Sequence, residues 1–361
     1  MPAFTGYPTI SPSTLNQFVI TMMRNKTNGY SDIITHEKPA HKALERAGAI
    51  KDEPRGIGPV RNVKFKQSRR AQFMSASQTT VPRDFAENES LTQAQFYYIA
   101  WSIGMAIPEF IWQMTQGPLA QFSYLETQID EMLQDVEETY NDVLWNGKTV
   151  GTHRCFGLKD IIRFDTSTDP AAGAVGGLPV ATYPTWCNQK ANYNGAFKTL
   201  SAGGRFKTML TYGENSLSSV YRRTTNFKNR GVKGKPDVGL CNEEYMLALE
   251  DLKEDGRLAV VSEANNELGT ESLRFRGLDL VYDENVPDDP NNSSYGVCMG
   301  VNCKDGFNVV YVDGLRRKMS DMKEQPNNEG YYWNHHTYMT TACRHPGLNF
   351  VHYGIKPAEN V

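Results

Sequence analysis

Little in this sequence of 361 residues marks it for a membrane or a secretory route. Its six cysteines (Cys155, Cys187, Cys241, Cys298, Cys303 and Cys343) are scattered, with no C-x-x-C pair, which fits free thiols in a reducing compartment better than a disulfide framework. The stretch Met1 to Ile10 lacks a basic n-region and an apolar core, so no secretory signal is expected. The longest mostly apolar run, Phe96 to Ile107, falls short of the ~20 residues a membrane helix needs. No charge dominates: 38 basic residues stand against 41 acidic, a net charge of −3, so the whole molecule is no obvious polyanion binder. The expectation is a soluble protein made in a cytoplasm, with no membrane partner.

Catalytic signatures are also missing. Gly147-Lys148-Thr149 ends like a phosphate-binding loop, but the required first glycine is Asp142, and the tripeptide follows a helical pattern where a strand should precede it. Gly56-Ile57-Gly58 has Arg61 where a dinucleotide fingerprint needs its third glycine. No G-x-S-x-G or H-E-x-x-H occurs. His335 and His336 are adjacent in a strand-like segment and so face opposite ways, and Cys343 lies roughly 26 Å from His335 along an extended chain. His345 and His352 can approach them only through tertiary folding. No catalytic, cofactor-binding or metal-ligating residue is assigned, and the expectation is a protein that is not an enzyme and needs no cofactor.

What the sequence does have is geometry. Leu15, Phe18, Val19, Met22 and Met23 recur at helical spacing behind Ser13, a plausible N-cap, and Ala40 to Ala47 reads as a second short helix ended by Gly48. Val63 and Phe65 alternate with Asn62, Lys64 and Lys66. After a polar stretch, Ser68 to Ser90, a longer alternation sets large Tyr97, Ile99, Trp101, Ile103, Met105 and Ile107 against small Ala100, Ser102, Gly104 and Ala106. Read together these make a long hairpin arm, marginal alone and in need of something to lie on.

Pro118 to Trp145 is the clearest helix. Phe122, Leu125, Ile129, Met132, Val136, Tyr140 and Val143 form one stripe, Pro118 suits a first turn and Gly147 follows the end. Two more helices are expected at Ser216 to Lys228 and, capped by Asn242, at Glu243 to Glu254. Strands are expected at Leu273–Tyr282, Tyr295–Cys303, Phe307–Val312, Tyr331–Cys343 and Leu348–Ile355. Helices and strands come in blocks, an α+β class. Charge is segregated: Arg61, Lys64, Lys66, Arg69 and Arg70 crowd the hairpin, Arg222 to Lys235 forms a second basic stretch, and Glu126, Asp130, Glu131, Asp135, Glu137 and Glu138 gather on the long helix. Such segregation suits subunit contacts or a phosphate-facing surface.

Several short strings, in order, resemble one family. They are Ala43-Leu44-Glu45-Arg46-Ala47-Gly48 before the hairpin, Leu91-Thr92-Gln93-Ala94-Gln95-Phe96 after its loop, and Phe156-Gly157-Leu158 beyond the long helix. Val175-Gly176-Gly177 to Trp186-Cys187-Asn188, Lys235-Pro236-Asp237, Phe275-Arg276-Gly277 and Asp283-Glu284-Asn285-Val286-Pro287 follow. In these the chain is similar to the major capsid proteins of tailed bacteriophages. It departs from them at Tyr295-Gly296-Val297-Cys298, where the family often has an aromatic-Leu-Asn step.

The resemblance implies a Hong Kong 97-type capsid fold: an N-terminal arm over 1–58, an extended hairpin loop over 59–110, a peripheral domain over 111–215 with a spine helix at 118–145, and an axial domain with returning peripheral strands over 216–361. It implies a subunit that self-assembles into hexamers and pentamers around double-stranded DNA held by non-specific contact. Its partners would be portal and scaffolding proteins and a decoration protein, and its place the virion, after assembly in a bacterial cytoplasm. About sixty residues precede the hairpin, so a fused scaffolding extension is not expected. Candidate inter-subunit contacts are Lys64, Lys66, Arg69, Arg70, Tyr97 and Trp101. The alternatives are an encapsulin-type cargo shell, which shares the fold, and a cytosolic metal-dependent or nucleic-acid-binding enzyme resting on the C-terminal histidines and Arg222 to Lys235.

Overall fold

The computed structural model describes residues 38–65, 91–108, 118–196, 210, 214–225, 234–254, 272–316, 318–320, 323–324 and 330–356. The amphipathic segment Leu15 to Met23 and the hairpin residues Lys66, Arg69 and Arg70 lie outside these, as do Lys228 and Lys233 of the second basic stretch.

The chain opens with α1 (Pro39–Arg46), β1 (Ile50–Glu53), β2 (Val60–Lys64), β3 (Leu91–Gln95) and β4 (Ile99–Pro108). Then come the long helix α2 (Pro118–Asn146), the small hairpin β5 (Lys148–Val150) and β6 (His153–Cys155), and α3 (Leu158–Ile161). After a loop with one 3-10 turn at Val175–Gly177 follow β7 (Gln189–Ala196), α4 (Leu217–Thr225), β8 (Val238–Cys241) and α5 (Glu243–Glu254). The rest is strand: β9 (Ser272–Phe275), β10 (Leu278–Tyr282), β11 (Gly296–Val301), β12 (Asn308–Val312), β13 (Lys318–Met319), β14 (Lys323–Glu324), β15 (Gly330–Ala342) and β16 (Phe350–Lys356).

Two six-stranded sheets carry the molecule. In the first, β15 is the backbone: β4 pairs with one edge of it, while β12, β13 and β14 pair along the other and β1 adds in parallel to β12. The second runs β7-β16-β11-β8-β10-β9. Its β9–β10 hairpin turns at Arg276 and Gly277, both at positive φ, as the tight turns matched to strand twist require.

The long helix forms where its apolar stripe predicts. Over 29 residues it spans about 43 Å. Leu125, Ile129, Met132 and Leu133 pack on Met105, Ile107 and Trp333 of the first sheet, and Tyr140, Val143, Leu144 and Trp145 enter the main core. The helix stops at Gly147 (φ +67°), whose N–H donates to the Val143 carbonyl at 3.0 Å. A Cβ there would stand 2.4 Å from the Cys155 carbonyl oxygen, so only glycine fits. The N-cap of α5 is Asn242, whose Oδ1 accepts from Tyr245 N at 3.2 Å.

Among the described residues the chain crosses between the sheets three times, from β4 to β7 by way of α2, from β11 to β12 and from β15 to β16, and two buried asparagines hold the last two crossings together. Asn302 Oδ1 accepts from the N–H groups of Lys304, Asp305 and Gly306 at 2.8–3.2 Å, and its Nδ2 donates to the Lys235 carbonyl at 2.8 Å. Asn349 Oδ1 accepts from Asn302 N at 2.9 Å and Nδ2 donates to the Gly306 carbonyl at 2.8 Å.

One expectation is corrected. The long alternating strand is not the second arm of the hairpin. The antiparallel ladder of β2 and β3 has five pairs, Val60–Gln95 to Lys64–Leu91, and two further backbone bonds, Phe96 N–H to the Pro59 carbonyl at 3.1 Å and Tyr98 N–H to the Ile57 carbonyl at 3.2 Å, carry the contact only as far as Tyr98. β4 then runs antiparallel to β15 over ten residue pairs, Pro108–Gly330 to Ile99–Met339. The physical reason is burial. Ile99, Met105 and Ile107 are almost fully buried, which a free arm could not provide. The 59–110 segment is therefore divided between the β2–β3 ladder and the body of the fold. Likewise β7 joins the second sheet through β16, ahead of the boundary expected at residue 215.

Candidate assembly surface

The β2–β3 ladder has two unlike faces, because side chains directly opposite each other share a side. Inward go Arg61, Val63, Thr92 and Ala94, with Val63 and Ala94 buried. This face rests on the 165–187 loop. The ring of Phe65 meets Tyr183 edge-on at 5.0 Å, and Gly176, at φ +60°, lies so close that a Cβ on it would be 2.9 Å from the Ala94 Cβ. Arg61 forms an ion pair with Glu53 of β1, fastening the ladder to the first sheet. Below it Lys51 Nζ donates to the Lys304 carbonyl at 2.8 Å and to Asn308 Oδ1 at 3.1 Å, and burial lowers its pKa.

Outward go Val60, Asn62, Lys64, Leu91, Gln93 and Gln95. Gln93 Nε2 donates to Asn62 Oδ1 at 3.3 Å. Leu91 is 66% exposed and Val60 46%, and Ile57 at the ladder's root is 70% exposed. The ladder is thus anchored on one side and offers apolar, amide and ammonium groups on the other. The residues that follow Lys64 carry the remaining hairpin cations, Lys66, Arg69 and Arg70.

A second surface carries the opposite charge. Helix α2 has no Lys or Arg at all. Glu126, Glu131, Asp135, Glu138 and Asp142 are exposed along its outer side, while Glu137 is buried.

Of the six sequence-proposed contact residues, three fall among the described ones. Lys64 lies on the outward face of the ladder, as its alternation implies. Tyr97 stacks on His153 with ring centroids 4.6 Å apart, and Trp101, on the large face of β4, stacks on His335 at 6.1 Å. Both rings make these contacts within their own subunit; on the same face Ile99, Met105 and Ile107 are buried, the last two against α2, while Tyr97, Trp101 and Ile103 stay half-buried. The exposed apolar residues at the ladder, Ile57, Val60 and Leu91, were not singled out from the sequence. Their signal is the cross-strand pairing, which sequence alone does not supply.

The C-terminal histidines are packing residues here. His345 Nδ1 accepts from Gly347 N at 2.9 Å, its ring lies 5.2 Å from Trp186, and burial drops its pKa to about 3. His352 lies between the Tyr245 hydroxyl (2.8 Å from Nδ1) and the Asn215 carbonyl (3.0 Å from Nε2), and burial drops its pKa to about 4. Accepting at Nδ1 and donating at Nε2 is the arrangement these partners dictate for a neutral ring. Among the described residues no three His, Cys, Asp or Glu side chains converge as a metal site would need. Gly147-Lys148-Thr149 runs from the end of α2 into β5, the reverse of a phosphate-binding loop.

No protein-family model matches the chain, and no curated protein sequence does. Solved structures do. The capsid of Myoviridae phage XM1 superposes with a TM-score of 0.51 at 9% identity, covering 85% of this chain and 90% of that one. The capsid asymmetric unit of cyanophage A-1(L) gives 0.53 at 13% identity, covering 87% and 92%. The chain has the fold of a phage capsid subunit. At this identity the likeness is one of architecture.

Proposed function

We propose that this chain is the major capsid protein of a tailed phage, a structural subunit and not an enzyme. It assembles into hexamers and pentamers that enclose double-stranded DNA. The observation that carries the reading is the ladder of β2 and β3: one face is fixed to the subunit's own body, the other is exposed with Val60, Leu91 and Lys64 outward, and cations follow it in sequence. Together with the acid-only outer side of α2, this makes two complementary surfaces on one subunit, and a contact between unlike surfaces of identical chains propagates into rings. The capsid fold over most of the chain supports the same conclusion.

Many modest contacts closed by symmetry then hold a shell that no single contact could. The partners are further copies of the chain, with portal, scaffolding and decoration proteins, and the packaged DNA by non-specific contact. Assembly takes place in the host cytoplasm and the finished location is the virion. The test is charge reversal at Lys64→Glu and Lys66→Glu together. The expected result is a folded subunit, judged by its circular dichroism and urea midpoint, with particle yield strongly reduced. Normal particle yield from the double variant contradicts the proposal.

A further inference from the structure

Strands β8 and β11 are neighbours in the middle of the second sheet, antiparallel, with Cys241 directly opposite Cys298. The N–H of Asn242 donates to the Val297 carbonyl at 3.1 Å, so residues 242 and 297 form a hydrogen-bonded pair. Alternation along an antiparallel ladder then makes Cys241 and Cys298 a non-hydrogen-bonded pair, the type whose Cα atoms stand about 4.5 Å apart with side chains closest together. That separation falls inside the range of about 4.4–6.8 Å that a disulfide spans. Both cysteines are free and fully buried, on the side of the sheet where Tyr245, Leu280 and Phe350 pack. The Cys241 thiol donates to the Gly239 carbonyl at 3.9 Å. A Cβ on Gly239, two residues before Cys241 on the same face, would stand 2.6 Å from Leu280 Cδ2 and 3.4 Å from Cys298 Sγ, so Leu280 and the thiol close tightly over the glycine.

We propose that Cys241 and Cys298 are an oxidative modification site, a latent cross-strand disulfide that closes by exchange with a low-molecular-weight disulfide and staples β8 to β11. One protein thiolate attacks a sulfur of the small disulfide and expels one small thiolate. The second protein thiolate attacks the resulting mixed disulfide at the protein sulfur and expels the other. The protein pair loses two electrons, the small disulfide gains them, and the two thiol protons end on the two released small thiols.

The surroundings set when this happens. Burial pushes the Cys241 thiol well above its ordinary pKa, so the closed sheet is inert and exchange follows transient opening of the sheet. The Tyr245 hydroxyl, in the same buried cluster as the pair, hydrogen-bonds His352 Nδ1 at 2.8 Å. The chemistry does not depend on the shell reading. In a shell, release from a reducing to an oxidising medium would be its occasion.

The experiment uses the full-length protein, incubated with oxidised glutathione in urea below the unfolding midpoint, then acid-quenched, alkylated under denaturing conditions and peptide-mapped. The expected result is a reducible link between the peptides carrying Cys241 and Cys298, loss of both from the alkylated pool, and Cys303 and Cys343 still alkylated. Cys298→Ala should stop at the first step, with one glutathione on Cys241. The proposal is overturned if both cysteines stay alkylatable, or if each carries its own glutathione without a link. A link in a protein that forms no shells would leave this site standing and count only against the capsid reading.

Discussion

Asn302 commits its side chain to four backbone groups at once, three N–H donors on Oδ1 and one carbonyl on Nδ2, in a position with no exposure to water. Truncation to alanine leaves buried donors unmatched, each worth about 1–3 kcal/mol when stranded. Asn302→Ala should therefore lower unfolding free energy by roughly 2–5 kcal/mol, with the geometry allowing partial relaxation. A urea titration measures it. The buried histidines add a pH dependence whose sign is fixed by their lowered pKa values. An unfolded histidine titrates near 6.5, His352 about 4 and His345 about 3 in the fold, so between these values the unfolded chain holds more protons. Stability is full above about pH 6.5 and falls as the pH drops toward 4; His352 alone would contribute a loss on the order of 2–3 kcal/mol by pH 4.5. Urea midpoints at pH 7 and pH 4.5 test this, and His352→Gln should flatten part of the difference. Neither device could be read in the sequence. Asn302 and Asn349 are 47 residues apart with no periodic signal, and a histidine's burial depends on which strands close over it.

Elements were more legible than their partners. The stripe from Leu125 to Val143 placed α2 and named its buried face, and Asn242 and Gly147 marked a start and a stop that the structure keeps. The alternation of β4 separated a large face from a small one, and the structure buries Ile99, Met105 and Ile107 of the large face in the subunit's own body. What alternation does not carry is the identity of the neighbouring strand. β4 pairs with β15, more than two hundred residues later, and that choice is made by the fit of Trp333, Met105 and Ile129 in one small core. Ile129→Ala, which empties part of that core, should cost about 2–5 kcal/mol. On the opposite side of the same helix the expectation reverses. Glu131→Lys with Asp135→Lys should change subunit stability by less than about 0.5 kcal/mol, since both are exposed. It should nevertheless suppress assembly, and combining it with Lys64→Glu and Lys66→Glu should restore particles if the hairpin cations meet this helix in a neighbour. Sedimentation of the three variants separates a lost contact from a lost fold.

For the whole molecule, two sheets joined through one core explain why a chain with few obvious chemical signatures is nonetheless well determined. The core runs from α1 through the end of α2 to β11, β12 and β16 without a break, so the subunit is a stable block before it meets any partner. Among the described residues, the ladder's exposed face and the acidic side of α2 lie outside this block, and they are the surfaces the proposed assembly would use. Electron microscopy of the purified, untreated chain, with and without scaffolding protein, tests the central claim most directly. The account predicts closed shells or ring-shaped hexamers and pentamers; a monodisperse monomer under both conditions would contradict it.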